Sequence, residues 1–476
     1  MPGVVKSYKA GAWLGLGRHL SIIAVMATGT FANVEAAEPG QPSHNAALQI
    51  ADGSATSSWK EAIECHVGTY KLRDDKIVDI APIDDTRLRW RLSDGRTGEI
   101  LRNASGAWQS TYGWTGRPDG VAVSFGPCDA ATINFAGSNG HRMTFDVTET
   151  SFAGHNGVKL QGRLILPIGK SAVPIVVLTH GAERDSALRF YFLQRMFPAS
   201  GIGAFVYDKR GTGLSSGTYT QDFDVLADDA VAAMRTARRL AGKRAARIGY
   251  QGGSQAGWII PLAANRAPVD FAVISFGLAV SVLEEDLQQM EMELTDKGYS
   301  PSVIAQAQEI SRAAGAVFAS RFTSGFREFD RVRERYRAES WYKDVHGHFT
   351  WALLPHDEAA LRAMAPEYNW GTPLRYDPMP ALRAAQTPQL WILGGRDYEA
   401  PAKETSRRIS TLIDQGKRFA LAIYPQAEHG MTYFETAASG ERLSTRYPEG
   451  YFAMMRDFIA SGRLRSSYGD AKLKER

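Results

Sequence analysis

The sequence predicts an α/β fold, a mainly parallel sheet covered on both faces by helices, with a helical insertion and a small β-rich unit in front. Three observations predict it. From Lys159 onward strand-like runs alternate with helix-like stretches, whereas up to about Gly140 the chain carries short segments of alternating polarity. In addition, Gly252-Gly253-Ser254-Gln255-Ala256-Gly257 forms a tight turn between a strand-like and a helix-like run. A chain of 476 residues is long for one core, so two domains, or one large domain with insertions, is the expectation.

The first residues read as an export signal. Lys6, Lys9 and Arg18 precede an uncharged stretch from Leu20 to Asn33, and Val34-Glu35-Ala36 suits cleavage near Ala36 or Ala37. Residues 1–37 are thus expected to be a signal peptide, leaving a periplasmic or secreted protein with no stable membrane span. The apolar stretch is short for a bilayer; an uncleaved anchor, the alternative, would also have to recruit Ala10 to Gly17. No cysteine lies near the cut, which speaks against a lipid-modified terminus. Residues 38–58, polar and rich in Ala and Ser, read as a linker.

Residues 59–145 read as a β-rich accessory domain. Leu88-Arg89-Trp90-Arg91-Leu92 and Val121-Ala122-Val123-Ser124-Phe125 alternate in polarity, and Ser93-Asp94-Gly95 and Arg117-Pro118-Asp119-Gly120 supply turns. Trp90, Trp108 and Trp114 suit a core better than a sugar-binding platform. The two cysteines of the chain, Cys65 and Cys128, both fall here. In an oxidising compartment they would close one bridge worth about a few kcal/mol; two buried thiols are the alternative.

From Lys159 the elements follow in order: strands over Leu160–Leu166 and Val173–Thr179, a helix over Ser186–Ala199, a strand over Ile202–Tyr207 and a helix over Asp224–Leu240. Arg247–Tyr250 then leads into the serine turn, and Phe271–Phe276 is the next strand. Residues 283–373 break the alternation with helix-like segments at Glu284–Gly298 and Ala305–Phe318. An insertion there is expected to cap the carboxyl ends of the strands, where open α/β sheets bind ligands. Gln389–Leu393 and Phe419–Tyr424 resume the sheet, and Pro448–Ser461 closes as a helix. This makes residues 146–476 the expected catalytic domain.

A serine on a strand-to-helix turn is pushed out of the sheet, where its hydroxyl reaches a bound carbonyl. Small neighbours are needed because the turn crowds the backbone; Ala256 departs from a strict G-x-S-x-G pattern, with Gly257 following. Such a serine needs a base and a carboxylate that orients the base. Gly394-Gly395-Arg396-Asp397 follows one strand and Ala427-Glu428-His429-Gly430 the next. Parallel strands deliver their carboxyl ends to one side, so Ser254, Asp397 and His429 are candidate nucleophile, acid and base. Glu399 and Glu428 are rival acids; Asp397 is preferred as the first carboxylate after its strand. His155, His346, His348 and His356 fit surface or packing roles and lack metal-ligand spacing. The expected oxyanion donors are the backbone N–H groups of Gln255 and of Ala182, in the loop His180-Gly181-Ala182, which His180 shapes. No metal or organic cofactor is required.

From about Ser151 to the end, these motifs resemble the α/β-hydrolase superfamily. Tyr207-Asp208-Lys209-Arg210-Gly211-Thr212-Gly213-Leu214-Ser215-Ser216-Gly217 is similar to a segment of serine aminopeptidase-like, dipeptidyl-peptidase-like and related acyl-ester hydrolases. The resemblance implies that Asp208 and Arg210 buttress the wall beside the oxyanion loop. Neither phosphate-loop pattern occurs in this segment. The implied activity is that of an exported serine hydrolase acting on carboxylic esters of small molecules. An aminopeptidase- or dipeptidyl-peptidase-like amide hydrolase acting on short peptides is the alternative, and a non-catalytic ligand-binding protein on the same fold is the third reading. A serine nucleophile argues against haloalkane and epoxide chemistry. An exopeptidase gripping a free amine should place a carboxylate at the mouth; Glu284, Glu285 and Asp286 keep that reading open, although an acidic first helical turn explains them equally.

The charge balance bounds partners. With 55 basic against 51 acidic residues and a net charge of +4, and no basic run interleaved with aromatics, no nucleic-acid partner is expected. The 44% hydrophobic and 22% charged content is that of an ordinary globular protein.

Overall fold

The structure, a computed structural model, describes residues 63–103 and 105–475. The expected signal segment and linker lie outside them.

Eight strands form the first sheet: β1 (Gly68–Leu72), β2 (Ile77–Pro82), β3 (Leu88–Leu92), β4 (Thr97–Arg102), β5 (Trp108–Tyr112), β6 (Val123–Phe125), β7 (Thr132–Phe135) and β8 (Ser138–Arg142). They pair antiparallel in the order β5-β4-β3-β2-β1-β8-β7-β6. The period of two in β3 divides its side chains cleanly. Leu88, Trp90 and Leu92 join the core of this sheet, and Trp90 Nε1 donates to Ser110 Oγ at 2.8 Å. Arg89 and Arg91 point the other way, where Arg91 lies over the Phe192 ring at 4.0 Å and Arg89 over Trp114, just after β5, at 4.0 Å. Cys65 and Cys128 form a disulfide with a Cα–Cα distance of 5.5 Å.

The second sheet holds β9 (Phe145–Ala153), β10 (Lys159–Pro167), β11 (Val173–Thr179), β12 (Gly203–Tyr207), β13 (Ala245–Gly253), β14 (Phe271–Ser275), β15 (Gln389–Gly394), β16 (Phe419–Tyr424) and β19 (Lys472–Lys474); a separate hairpin is made by β17 (Tyr433–Thr436) and β18 (Arg442–Arg446). Its order is β19-β16-β15-β14-β13-β11-β12-β10-β9. The run from β12 to β16 is parallel, and antiparallel strands flank it on both sides. These central strands are buried on both faces and read as continuous apolar runs. In β11, Ile175 and Val177 face helices Phe223–Ala241 and Ala256–Arg266, whereas Val176 and Leu178 face Leu193–Ala199 and Tyr451–Ser461.

The stretch expected as one helix over Ser186–Ala199 is broken into Ala187–Phe190 and Leu193–Ala199. Tyr191 adopts an extended ψ of 102° between them and turns its hydroxyl to the Glu183 carboxylate. Between β14 and β15 the chain leaves the sheet for helices including Val282–Asp296, Pro301–Ala319 and Phe326–Tyr336. Ser281 opens the first with a capping box, its hydroxyl receiving Glu284 N while the Glu284 carboxylate receives Ser281 N at 2.8 Å. No helix among the described residues is long and apolar enough to cross a membrane.

Candidate functional site

Register in the sheet positions the site. Ser254 follows β13, Phe276 follows β14, Asp397 follows β15 and His429 follows β16, and these four strands are adjacent and parallel. Their side chains therefore leave one edge of the sheet side by side.

Ser254 has a φ of 54°, the left-handed region, which for a non-glycine residue costs about 1–3 kcal/mol. The surroundings enforce it. Its N–H donates to Ser275 O at 3.1 Å, and its own carbonyl accepts from Gly257 N at 2.9 Å as helix Ala256–Arg266 begins. Gly253 is needed for close approach, since a Cβ there would come 2.2 Å from the Phe276 ring. Phe276 is itself left-handed, with a φ of 39°, and its N–H is tied to Ile392 O at 2.7 Å.

Asp397 and His429 are brought together. Imidazole Nδ1 lies 3.1 Å and 3.0 Å from the two Asp397 oxygens, and Asp397 is fully buried, with Oδ1 also receiving Ala400 N at 2.8 Å. Of the rival acids, Glu428 turns away to accept from Ser444 Oγ at 2.5 Å. Glu399 stands on the opposite side of the ring, its Oε2 3.7 Å from Nε2. Burial opposes a charge on His429, but the Asp397 and Glu399 carboxylates outweigh it and push the imidazole up to about 10. The Ser254 hydroxyl makes no hydrogen bond among the described residues. The edge of the Phe276 ring packs on His429, centroids 4.9 Å apart, and the same ring covers Gly253. The structure thus joins acid to base directly, and relates serine to base through Phe276 and the shared sheet edge.

The loop after β11 faces the serine: a Cβ built on Gly181 would lie 3.6 Å from Ser254 Cβ. Neither Ala182 N–H nor Gln255 N–H donates to an acceptor among the described residues, so both stay available to a ligand. The carbonyls beside them are pinned. Lys209 Nζ donates to Gly181 O at 2.7 Å and the Tyr219 hydroxyl to Ala182 O at 2.6 Å. In a trans peptide C=O and N–H point in opposite directions, so holding Gly181 O sets the direction of Ala182 N–H. Tyr219 is held in turn by Gln221 Nε2 at 2.9 Å, and Gln221 accepts from Thr372 Oγ1 at 2.6 Å, at the end of the helical excursion. Burial lowers the Lys209 ammonium to about 8 against the pull of Glu183. His180 packs edge-on to Tyr207, and its Nε2 lies 2.6 Å from Tyr207 O. Burial lowers its pKa, which suits a neutral ring donating this bond.

Asp208 binds Ser186 Oγ at 2.8 Å, Leu188 N at 3.0 Å and Leu214 N at 2.8 Å, closing the glycine-rich segment against the helix Ala187–Phe190 that follows the His180-Gly181-Ala182 loop. Arg210 pairs through Nε and Nη2 with Asp229 at 2.6 Å and 2.7 Å, in a buried fork.

Sequence reasoning passed over Lys209 and Tyr219, although both flank or lie within the glycine-rich segment it singled out. It assigned His348 to surface or packing. The structure buries His348 with Nδ1 3.3 Å from Glu285 Oε1, and both groups feel the charge of His429. Of the other acids at this helix start, Glu284 pairs with Arg408 at 2.6 Å, and Asp286 accepts from Thr350 Oγ1 at 2.6 Å and Ser311 Oγ at 2.5 Å. Among the described residues, Cys65, His66 and Cys128 are the cluster dense enough in ligand atoms for a metal, and its two thiols are spent in the disulfide.

No protein-family model matches the chain, and no curated protein matches it. Solved structures similar to it include an esterase from Pyrococcus furiosus, at 13% identity over 60% of this chain and 85% of that one, TM-score 0.38. Another is an acylaminoacyl peptidase from Pyrococcus horikoshii, at 16% identity over 74% of this chain and 52% of that one, TM-score 0.37. A third is an acetyl xylan esterase from Paenibacillus sp. R4, at 14% identity over 65% of this chain and 82% of that one, TM-score 0.36.

Proposed function

We propose that this protein is an exported serine hydrolase that cleaves carboxylic esters through an acyl-enzyme. The observation that supports it most is the buried Asp397 carboxylate on His429 Nδ1, at a sheet edge that also presents Ser254 in a left-handed turn. In this reading Ser254 Oγ attacks the ester carbonyl as its proton passes to His429 Nε2. Asp397 holds the ring in the tautomer that leaves Nε2 as acceptor and stabilises the imidazolium. The tetrahedral oxyanion takes hydrogen bonds from Ala182 N–H and Gln255 N–H. Collapse expels the alcohol, protonated by His429, and water then repeats the sequence to release the acid and restore the serine. Turnover requires Nε2 to exchange its Glu399 neighbour for the serine proton.

The ester reading is favoured over gripping of a free amine by the state of the acids nearby. Glu284 and Asp286 are engaged by Arg408 and by hydroxyls, and burial raises Glu285 well above the usual carboxylate range, which disfavours the anion that would grip an ammonium. Residues 283–373 act in this proposal as a cap. The β-rich domain is an accessory that braces the hairpin after His429: Trp114 N donates to Ser444 O at 2.9 Å, and Arg117 pairs with Glu435 at 2.7 Å. A fluorophosphonate probe should label the protein at Ser254. Ser254→Ala should fold yet lose labelling and turnover of p-nitrophenyl esters; turnover that survives the substitution rejects the assignment.

A further inference from the structure

One face of helix Val282–Asp296 carries Glu285, Gln289 and Glu293 at successive intervals of four, one above the other. Opposite runs the segment holding His346, Gly347 and His348. At the outer end, half-exposed His346 meets Glu293 at 3.2 Å, and Gly347 N donates to the other Glu293 oxygen at 3.0 Å. At the inner end, His348 meets Glu285 with both side chains only 4% exposed. This ladder of polar groups therefore runs from solvent to the neighbourhood of His429.

Its inner end is unfinished. Glu285 Oε2, His348 Nε2 and Gln289 Oε1 are all buried without a hydrogen-bond partner. Buried polar atoms left unbonded cost about 1–3 kcal/mol each, so three in one strip call for an occupant. Burial, with the negative charges of Glu399, Asp286 and Asp397, pushes Glu285 well above the usual carboxylate range against the pull of His429, which favours its protonated form; burial lowers His348 to about 4, which favours the neutral ring. Between an uncharged carboxyl and an uncharged imidazole there are two arrangements. If Glu285 donates to Nδ1, His348 Nε2–H is left as donor and Glu285 Oε2 as acceptor. If Nδ1–H donates to Glu285, the outward roles are reversed. Either way the pair offers one donor and one acceptor, which a single hydroxyl satisfies and an ammonium or a methyl group does not.

We infer that Glu285 and His348, with Gln289 behind them, form a subsite for a hydroxyl group on the alcohol portion of the ester. Both groups feel the charge of His429, the group that in the proposed mechanism gives the departing alcohol its proton. The substrates would then be monoesters of diols or polyols. This inference rests on the serine-hydrolase reading.

The test compares kcat/KM for glycerol monoacetate, propyl acetate and 2-aminoethyl acetate by acid release, with fluorophosphonate labelling of Ser254 as a separate readout of the catalytic centre. The wild type should prefer glycerol monoacetate over propyl acetate by about tenfold or more. Glu285→Gln keeps a donor and an acceptor and should retain that ratio within about threefold, whereas Glu285→Leu and His348→Leu should bring it near one. A wild type without the preference, or a Leu variant that labels normally and keeps it, overturns the subsite. So does a preference for the ammonium ester that Glu285→Gln removes. Absence of labelling in the wild type overturns the underlying hydrolase reading instead.

Discussion

Replacing Glu399 by glutamine should make the protein a faster catalyst at neutral pH. In the proposed mechanism His429 accepts the serine proton only when Nε2 is unprotonated, and with the ring pushed up to about 10 most molecules are protonated at neutrality. The Glu399 oxygen 3.7 Å from Nε2 contributes to this. A unit charge at that distance is worth about 1 kcal/mol in the dielectric of water and about 4.5 kcal/mol at an effective value of 20. Because the Glu399 side chain is 36% exposed, solvent screening favours the lower end, about 1 kcal/mol or slightly more. Removing the charge thus lowers the proton affinity of His429 by about tenfold. The sign follows: a base with a raised pKa is scarce below it, so lowering the pKa increases the competent fraction at every pH on the acid limb. The pH profile of kcat/KM for p-nitrophenyl acetate, or of fluorophosphonate labelling, should move downward by about one pH unit in Glu399→Gln, with rates converging at alkaline pH. A limb that stays in place, or a uniform loss of rate at all pH values, refutes the argument that Glu399 acts on Nε2 through its charge.

Other outcomes follow from the same geometry. Asp397→Asn should lower kcat by roughly 10³–10⁴-fold, as the wrong tautomer is held, whereas Glu428→Gln, which loses its bond to Ser444, should change it by less than about tenfold. Tyr219→Phe and Lys209→Met free the Ala182 and Gly181 carbonyls; each should reduce kcat by about tenfold with KM nearly constant, less than the loss of an oxyanion donor outright. Reducing the Cys65–Cys128 bridge, or replacing both cysteines by serine, should cost about 2–4 kcal/mol in denaturant unfolding followed by tryptophan fluorescence.

Much of this was legible along the chain. The change from alternating to continuous apolar runs separates the antiparallel sheet, with one face on its own core, from the buried parallel one, because burial on one or two faces leaves a different period in the side chains. The serine turn shows in its small residues, and the order of Ser254, Asp397 and His429 shows as three residues placed just after three strands. The hairpin Tyr433–Thr436 and Arg442–Arg446 and the terminal strand Lys472–Lys474 were missed. They are short, polar and half-exposed, so they carry no periodic apolar signal. Nothing local in the sequence marks the break in the expected helix Ser186–Ala199; it falls at Tyr191, whose hydroxyl reaches the Glu183 carboxylate.

Local chemistry is written in neighbouring residues: steric limits at a turn, the spacing of apolar side chains, the capping serine of a helix. From these alone came the fold class, the strand ends and the candidate triad. Only the folded chain decided which polar and titratable groups share a low-dielectric space: Glu399 near His429 Nε2, Glu285 against His348, Lys209 and Tyr219 on the carbonyls of the His180-Gly181-Ala182 loop. Those pairs join residues brought together by sheet order and packing, and their protonation depends on burial and distance, which a linear sequence does not specify.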